Sequence, residues 1–154
     1  MRIFFLMAAL LVVACDGGNK NAAPIFKTLS AINVSENQIF VANIDVVDPD
    51  NDQITISISG KDASYFVLTQ DNQLNFVTAP DYELKNLFSI VLNASDSFLM
   101  SSLSVEVTIV NENDNVPVIM SQPDIFLPHN QKMVASISAT DLDGDSLTYN
   151  IDQQ

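Results

Sequence analysis

From residue 40 onward, apolar and polar positions mostly alternate with a period of two. Phe40, Ala42, Ile44 and Val46 alternate with Val41, Asn43 and Asp45, and Ile54, Ile56 and Ile58 with Thr55, Ser57 and Ser59. Leu74 and Phe76 flank Asn75, and Leu103, Val105, Val107 and Ile109 alternate with Ser104, Glu106 and Thr108. A two-residue step places successive side chains on opposite faces of a strand, so Glu106 and Thr108 are expected to face solvent. Residues 88–94 are mostly apolar, the pattern of a strand covered on both faces. Turn-forming clusters such as Asp50-Asn51-Asp52 and Asp71-Asn72 separate the runs, and Ala79-Pro80 ends another. No stretch has a convincing helical period. About seven short strands in the first unit predict an all-β fold, a seven-stranded antiparallel Greek-key β-sandwich whose core needs no disulfide.

The pattern recurs. At a shift of 93 positions, residues 24–61 align with 117–154 without a gap, and 12 of 38 positions are identical, among them Pro24/Pro117, Asp48/Asp141, Asp50/Asp143 and Asp52/Asp145. Self-similarity at a fixed period marks repeated structural units. Four segments follow: a leader over residues 1–14, a tether over 15–23, a whole unit over 24–115, and an incomplete second unit over 116–154. The incomplete unit is expected to leave sheet edges and apolar residues such as Ile137 and Ile151 uncovered.

Charge narrows the function. Six Lys and Arg oppose 19 Asp and Glu, a net charge of −13. A nucleic-acid binder needs a basic face to neutralise phosphates, and none exists here. Fifteen of the acids are Asp and four are Glu, which favours acidic loops over exposed helices. One Cys excludes a disulfide framework and a zinc site built of several thiolates; one His argues against a catalytic triad. No phosphate-binding loop, nucleophile elbow or HExxH occurs, and an enzyme is not expected.

Residues 3–14 form an unbroken apolar run after Met1-Arg2, too short for a membrane-spanning helix but the length of a signal-peptide core. The run ends Leu11-Val12-Val13-Ala14-Cys15, which resembles the lipobox of bacterial lipoproteins. That resemblance implies cleavage before Cys15 and lipidation of Cys15, with the polar residues 16–21 as a flexible tether. The implied location is the cell envelope, with the chain lipid-anchored to a bacterial membrane.

The acids fall outside the strands, in Val34-Ser35-Glu36-Asn37, Asp48-Pro49-Asp50, Asp81-Tyr82-Glu83, Ala94-Ser95-Asp96 and Asn111-Glu112-Asn113-Asp114-Asn115-Val116-Pro117, with Asp141-Leu142-Asp143 in the second unit. In kind and order these resemble the signatures of cadherin repeats, whose fold is the cadherin/Ig-like sandwich. Cadherin repeats bind Ca²⁺ between successive domains. The resemblance therefore implies a metal site made by Glu36, Asp81 and Glu83 of the first unit, Asn113, Asp114, Asn115 and the Glu112 carbonyl of the linker, and Asp141 and Asp143 of the second unit. Six of these carry carboxylates, matching the charge of three divalent cations, and Ca²⁺ takes six to eight oxygens. Calcium would clamp two units that repel each other without it. The expected function is a calcium-binding surface lipoprotein, an adhesion or stalk module. Its partners are other cadherin-like repeats of the same chain and another surface protein or glycan. The alternative is a passive sandwich spacer presenting a carbohydrate-binding or enzymatic module of a longer chain.

The chain departs from the family pattern in places. Asn111 stands where the linker usually begins with Asp, and His129 where the second unit should repeat Glu36. The second unit ends before its own A-x-D, so one ligand is missing. The cluster Asp48, Asp50 and Asp96 faces a tether that echoes the linker poorly, and no metal is expected there. An EF-hand loop starting at Asp48 or Asp141 fails, because its sixth position is Gln53 or Ser146 where Gly is needed. Trp-mediated strand exchange, used by many animal cadherins, is unavailable to a chain with no Trp.

Overall fold

The computed structural model describes residues 20–122, 129–130 and 135–151; the leader expected over residues 1–14, Cys15 and part of the expected second unit lie outside the described residues. The first unit contains β1 (Ile25–Phe26), β2 (Ala31–Ser35), β3 (Phe40–Asn43), β4 (Val46–Val47), β5 (Thr55–Ser59), β6 (Phe66–Leu68), β7 (Gln73–Phe76), β8 (Leu87–Ser95) and β9 (Met100–Val110). Its only helical element among the described residues is a 3-10 turn at Ala63–Tyr65. One sheet has the order β2-β9-β8-β5 and the other β3-β7-β6, with β1-β4 as a short ribbon. The nine segments follow a seven-strand plan in which the first strand is split into β1 and β2 and the second into β3 and β4. Among the described residues no helix is long and apolar enough to cross a membrane.

The core lies between the two sheets and includes Val34, Phe66, Leu74, Phe76, Phe88, Ile90, Leu92, Val105, Val107 and Ile109. The Phe66 and Phe76 ring centroids lie 4.5 Å apart, and Phe88 meets them edge-on at 5.7 and 5.2 Å. Offset and edge-to-face contacts suit the ring quadrupoles and hold the sheets in one relative position. At Gly60, whose φ is +102°, a Cβ would come within 3.1 Å of the Val91 backbone nitrogen, so the strand end can pass this close to β8 only without a side chain.

Three local expectations are corrected. The sandwich is not wholly antiparallel: β2 runs parallel to β9, with Ala31 opposite Glu106 and Ser35 opposite Val110. The first strand breaks after β1, leaves its antiparallel partner β4, and crosses to the other sheet, where it lies alongside β9 in the same direction. The alternation Phe40, Ala42, Ile44 and Val46 fails at its first position, although Ile44 lies in the core and Ala42 and Val46 pack against it. A register shift between Phe40 and Ala42 inserts Val41 into the core and leaves Phe40 half exposed. A bulge of this kind adds one residue to a strand and reverses the facing of its neighbours. Finally, β8 is covered on one face only: Phe88, Ile90, Leu92 and Ala94 are buried while Leu87 and Ser89 are exposed. On β9, Glu106 is exposed and Thr108 half-buried.

Asp62 is a buried acid with a cation beside it. It accepts from Lys85 Nζ at 2.5 Å and from the Ser89 N–H at 2.8 Å. The same ammonium lies 4.6 and 4.5 Å from the ring centroids of Tyr65 and Phe88. The Lys85 hydrogen bond, with the Ser89 N–H adding to it, holds the Asp62 carboxyl below its ordinary value despite burial.

The second unit begins as the first does. β10 (Val118–Ile119) pairs antiparallel with β11 (Ala139–Thr140), matching β1 and β4 residue for residue at the 93-position shift. The hydrogen bonds follow: Lys27 N–H donates to the Asp45 carbonyl and Met120 N–H to that of Ser138, both at 2.8 Å. Ile137 is half exposed and Ile151 almost fully so.

Candidate metal centre

The descending strands β2, β7 and β9 bring three loops to one end of the first unit, and Glu36 ties them together. It is 2% exposed. Its Oε2 accepts from the Tyr82 N–H at 2.8 Å and its Oε1 from the Glu112 N–H at 2.9 Å, linking the loop after β7 to the linker after β9. Asn37 follows with a positive φ of 61°, a conformation Asn tolerates. Its N–H donates to the Pro80 carbonyl at 2.9 Å and its Nδ2 to Asp114 Oδ2 at 2.5 Å.

Carboxylate oxygens of Glu36, Glu83, Asp114 and Asp143 lie within 4.8 Å of one another. They come from three parts of the chain: the first unit, the linker and the second unit. Asp143 reaches the group because the linker grips it. The Asn115 N–H donates to its Oδ2 and Asn115 Nδ2 to its Oδ1, each at 2.8 Å, while Asn111 Nδ2 donates to its carbonyl at 3.0 Å. Asn115 Nδ2 also lies 2.9 Å from Asp114 Oδ1.

The protonation preferences of two members diverge. Burial, followed by the charges of Glu36 and Asp143, pushes the Glu83 carboxyl above its ordinary value. The Asn115 amide, with backbone N–H groups, holds Asp143 below its own. Glu83 Oε1 is out of solvent with no hydrogen-bond partner. A buried carboxylate oxygen without a donor, facing three further carboxylates, is strongly disfavoured unless a proton or cation joins it. An all-oxygen set of this kind fits a hard divalent cation such as Ca²⁺ better than a soft or imidazole-preferring metal.

The remaining expected ligands border the group. Asp81 Oδ1 accepts from the Leu84 N–H at 3.0 Å, closing the turn that presents Glu83. Asp141 Oδ1 accepts from the Asp143 N–H at 3.0 Å and orients it. Asn113 Nδ2 bonds Asp145 Oδ2, and Glu112 contributes its N–H to Glu36. Asn37, Asn111 and Asp145 are not among the expected ligands; Asn37 and Asn111 stand inside the acidic motifs and Asp145 two residues beyond Asp143.

The opposite end of the first unit shows the same hold in reduced form. Ala22 N–H donates to Asp50 Oδ2 at 2.8 Å, the counterpart of Asn115 on Asp143 at the 93-position shift. Asn21 Nδ2 donates to Asp96 Oδ2 at 2.8 Å.

A β-sandwich followed, across an acidic linker whose carboxylates converge, by a ribbon that repeats the first one defines a class of modular β-proteins. No protein-family model matches the chain. It is 33% identical over 75 residues to cadherin-related family member 2 of Mus musculus, covering 48% of this chain and 6% of the relative. It is 28% identical over 131 residues to chitinase A of Pseudoalteromonas piscicida, covering 84% of this chain and 16% of that one. Among solved structures, human protocadherin-24 EC1-2 superposes with a TM-score of 0.67 at 26% identity, over 79% of this chain and 61% of that one. The chain carries a cadherin-like domain with the β-sandwich fold of cadherin repeats. It spans only a small part of the curated relatives it matches.

Proposed function

We propose that this chain is a calcium-binding cadherin-like module of a bacterial surface lipoprotein, anchored through Cys15, in which Ca²⁺ at the linker stiffens the joint between successive units for adhesion or as a stalk. The observation that carries the reading is the convergence of Glu36, Glu83, Asp114 and Asp143 from both sides of the joint. With calcium bound, Glu36 and Glu83 would hold it from the first unit, Asp114 from the linker and Asp143 from the second, with Asp81, Asp141, Asn113 and the Glu112 and Asn115 carbonyls as further oxygens. Calcium supplies the positive charge that lets these carboxylates share one space. The chain's own residues supply position: Asn115 and Asp141 aim Asp143, and the Glu112 and Tyr82 N–H groups fix Glu36. Its partners are then neighbouring repeats of the same chain, the membrane and an outside surface protein or glycan.

Thermal unfolding of the full chain in millimolar Ca²⁺, matched Mg²⁺ and chelator tests this. Extracellular calcium modules bind at about 10⁻⁴–10⁻³ M, so a tenfold excess over Kd adds about 1.4 kcal/mol per site and raises Tm by roughly 5 °C or more. Asp114→Ala is expected to lose the rise. An equal rise with Mg²⁺, or none with either ion, defeats the calcium reading.

The chitinase A likeness favours a second reading, a spacer that presents an enzymatic module within a longer chain. In that case calcium binding can be absent and the module's activity is carried elsewhere.

A further inference from the structure

The turn between β8 and β9 projects apolar residues at the end opposite the linker. Phe98 is 80% exposed and Met100 64%, with Leu99 between them also exposed. Their display is built rather than slack. Asp96 is buried, and its Oδ1 accepts from the Phe98 N–H at 2.7 Å and the Leu99 N–H at 2.6 Å. Asp96 N–H in turn donates to the Leu99 carbonyl at 3.2 Å, and Ser97 sits at a φ of +79° to close the turn. The chain entering the first unit is fastened to the same carboxylate, through Asn21 Nδ2 on Asp96 Oδ2 at 2.8 Å.

The length of chain outside the described residues says what this tip meets. Cys15, at the end of the apolar run 3–14, precedes Asn21 by six residues. Fully extended, such a segment spans about 20 Å at ~3.3–3.6 Å per residue. A chain lipidated at Cys15 therefore keeps the tip within roughly that distance of the bilayer. Asp48, Asp50 and Asp52 stand at the same end and repel anionic headgroups, so the surface that fits is zwitterionic.

We propose that Phe98, Leu99 and Met100 form a membrane-seating tip that enters the headgroup region of a zwitterionic bilayer beside the lipid on Cys15. The inference rests on the lipoprotein reading above. Three apolar side chains bind a bilayer weakly alone; the lipid makes their insertion intramolecular and thus effective at a high local concentration. The second attachment fixes the tilt of the first unit, so that a stiffened chain stands off the membrane in a defined direction.

The chain has no Trp, so Phe98→Trp introduces its single indole. The full-length gene product is recovered from membranes and reconstituted into phosphatidylcholine vesicles whose acyl chains carry bromine near the headgroup. The indole at position 98 is expected to shift its emission to the blue and to lose intensity in brominated vesicles. The indole of Val77→Trp, at the linker end, is expected to do neither. The mass of the peptide bearing Cys15 is read on the same sample. If Cys15 carries no lipid, the lipoprotein reading fails by itself. The chain's one thiol is then coupled to a maleimide lipid in the vesicles and the measurement repeated. Solvent-like, unquenched emission from an attached chain overturns the proposal. So does a blue shift that needs no vesicles and grows with protein concentration, which would make the tip a contact between copies.

Discussion

Asn115 holds Asp143 at two points, its backbone N–H and its Nδ2 each donating at 2.8 Å to a different oxygen of the same carboxylate. This grip crosses the joint between units, and the Ala22 N–H repeats half of it on Asp50 at the other end. The linker is thus registered on the second unit by its own amides, which orient the Asp143 carboxylate.

Asn115→Ala removes the Nδ2 bonds to Asp143 and Asp114 but keeps the backbone bond. Hydrogen bonds to charged groups contribute about 1.5–3 kcal/mol when buried, and this one is partly exposed, so a loss of about 1 kcal/mol in the joint is expected. Amide exchange at Ala139 and Thr140 on β11 should accelerate about fivefold, while β8 is unchanged. Equal exchange in both proteins would show that the grip does not hold the units together.

Glu36→Gln probes the bridge beneath the site. Its two oxygens accept from the Tyr82 and Glu112 N–H groups, and an amide can satisfy only one while turning its NH₂ towards the other. A loss of about 2 kcal/mol in chelator is expected in denaturant unfolding. If carboxylate repulsion dominated instead, removal of this charge would stabilise the metal-free chain.

Asp62 gives a pH-dependent signature away from the metal centre. Its folded carboxyl lies below the ordinary value of 3.8, chiefly through the Lys85 hydrogen bond, so the unfolded chain binds the proton more tightly. The stabilisation is therefore fully present above that ordinary value and fades as pH falls through the lower folded value. Asp62→Asn is expected to cost about 2 kcal/mol near neutral pH, below the figure for a fully buried pair because Lys85 is partly exposed. Unfolding measured from about pH 6 to about pH 3 should show the difference between the two proteins narrowing only below about pH 4.

The bulge in β3 makes a paired prediction. Val41→Ala empties core space and should cost about 2 kcal/mol, whereas Phe40→Ala, on a half-exposed ring, should cost less than about 1 kcal/mol. The opposite ranking would restore the uninterrupted alternation that the sequence suggests.

The two-residue alternation and the turn acids are legible within a strand or a short motif and determined the β-sandwich, while the likeness of the acidic motifs to those of cadherin repeats added Glu36, Glu83, Asp114 and Asp143 as candidate ligands. The inward turn of Val41, the single covered face of β8 and the parallel pairing of β2 with β9 were not legible, because each is set by register against a strand far away in the chain. The same holds for the site. Glu36 receives its two N–H groups from residues 46 and 76 positions away, and Asn115 meets Asp143 across 28. Sequence spacing names the acids, but only packing of the loops decides that Glu83 is left with a buried, partnerless oxygen while Asp81 and Asp141 serve to orient their neighbours.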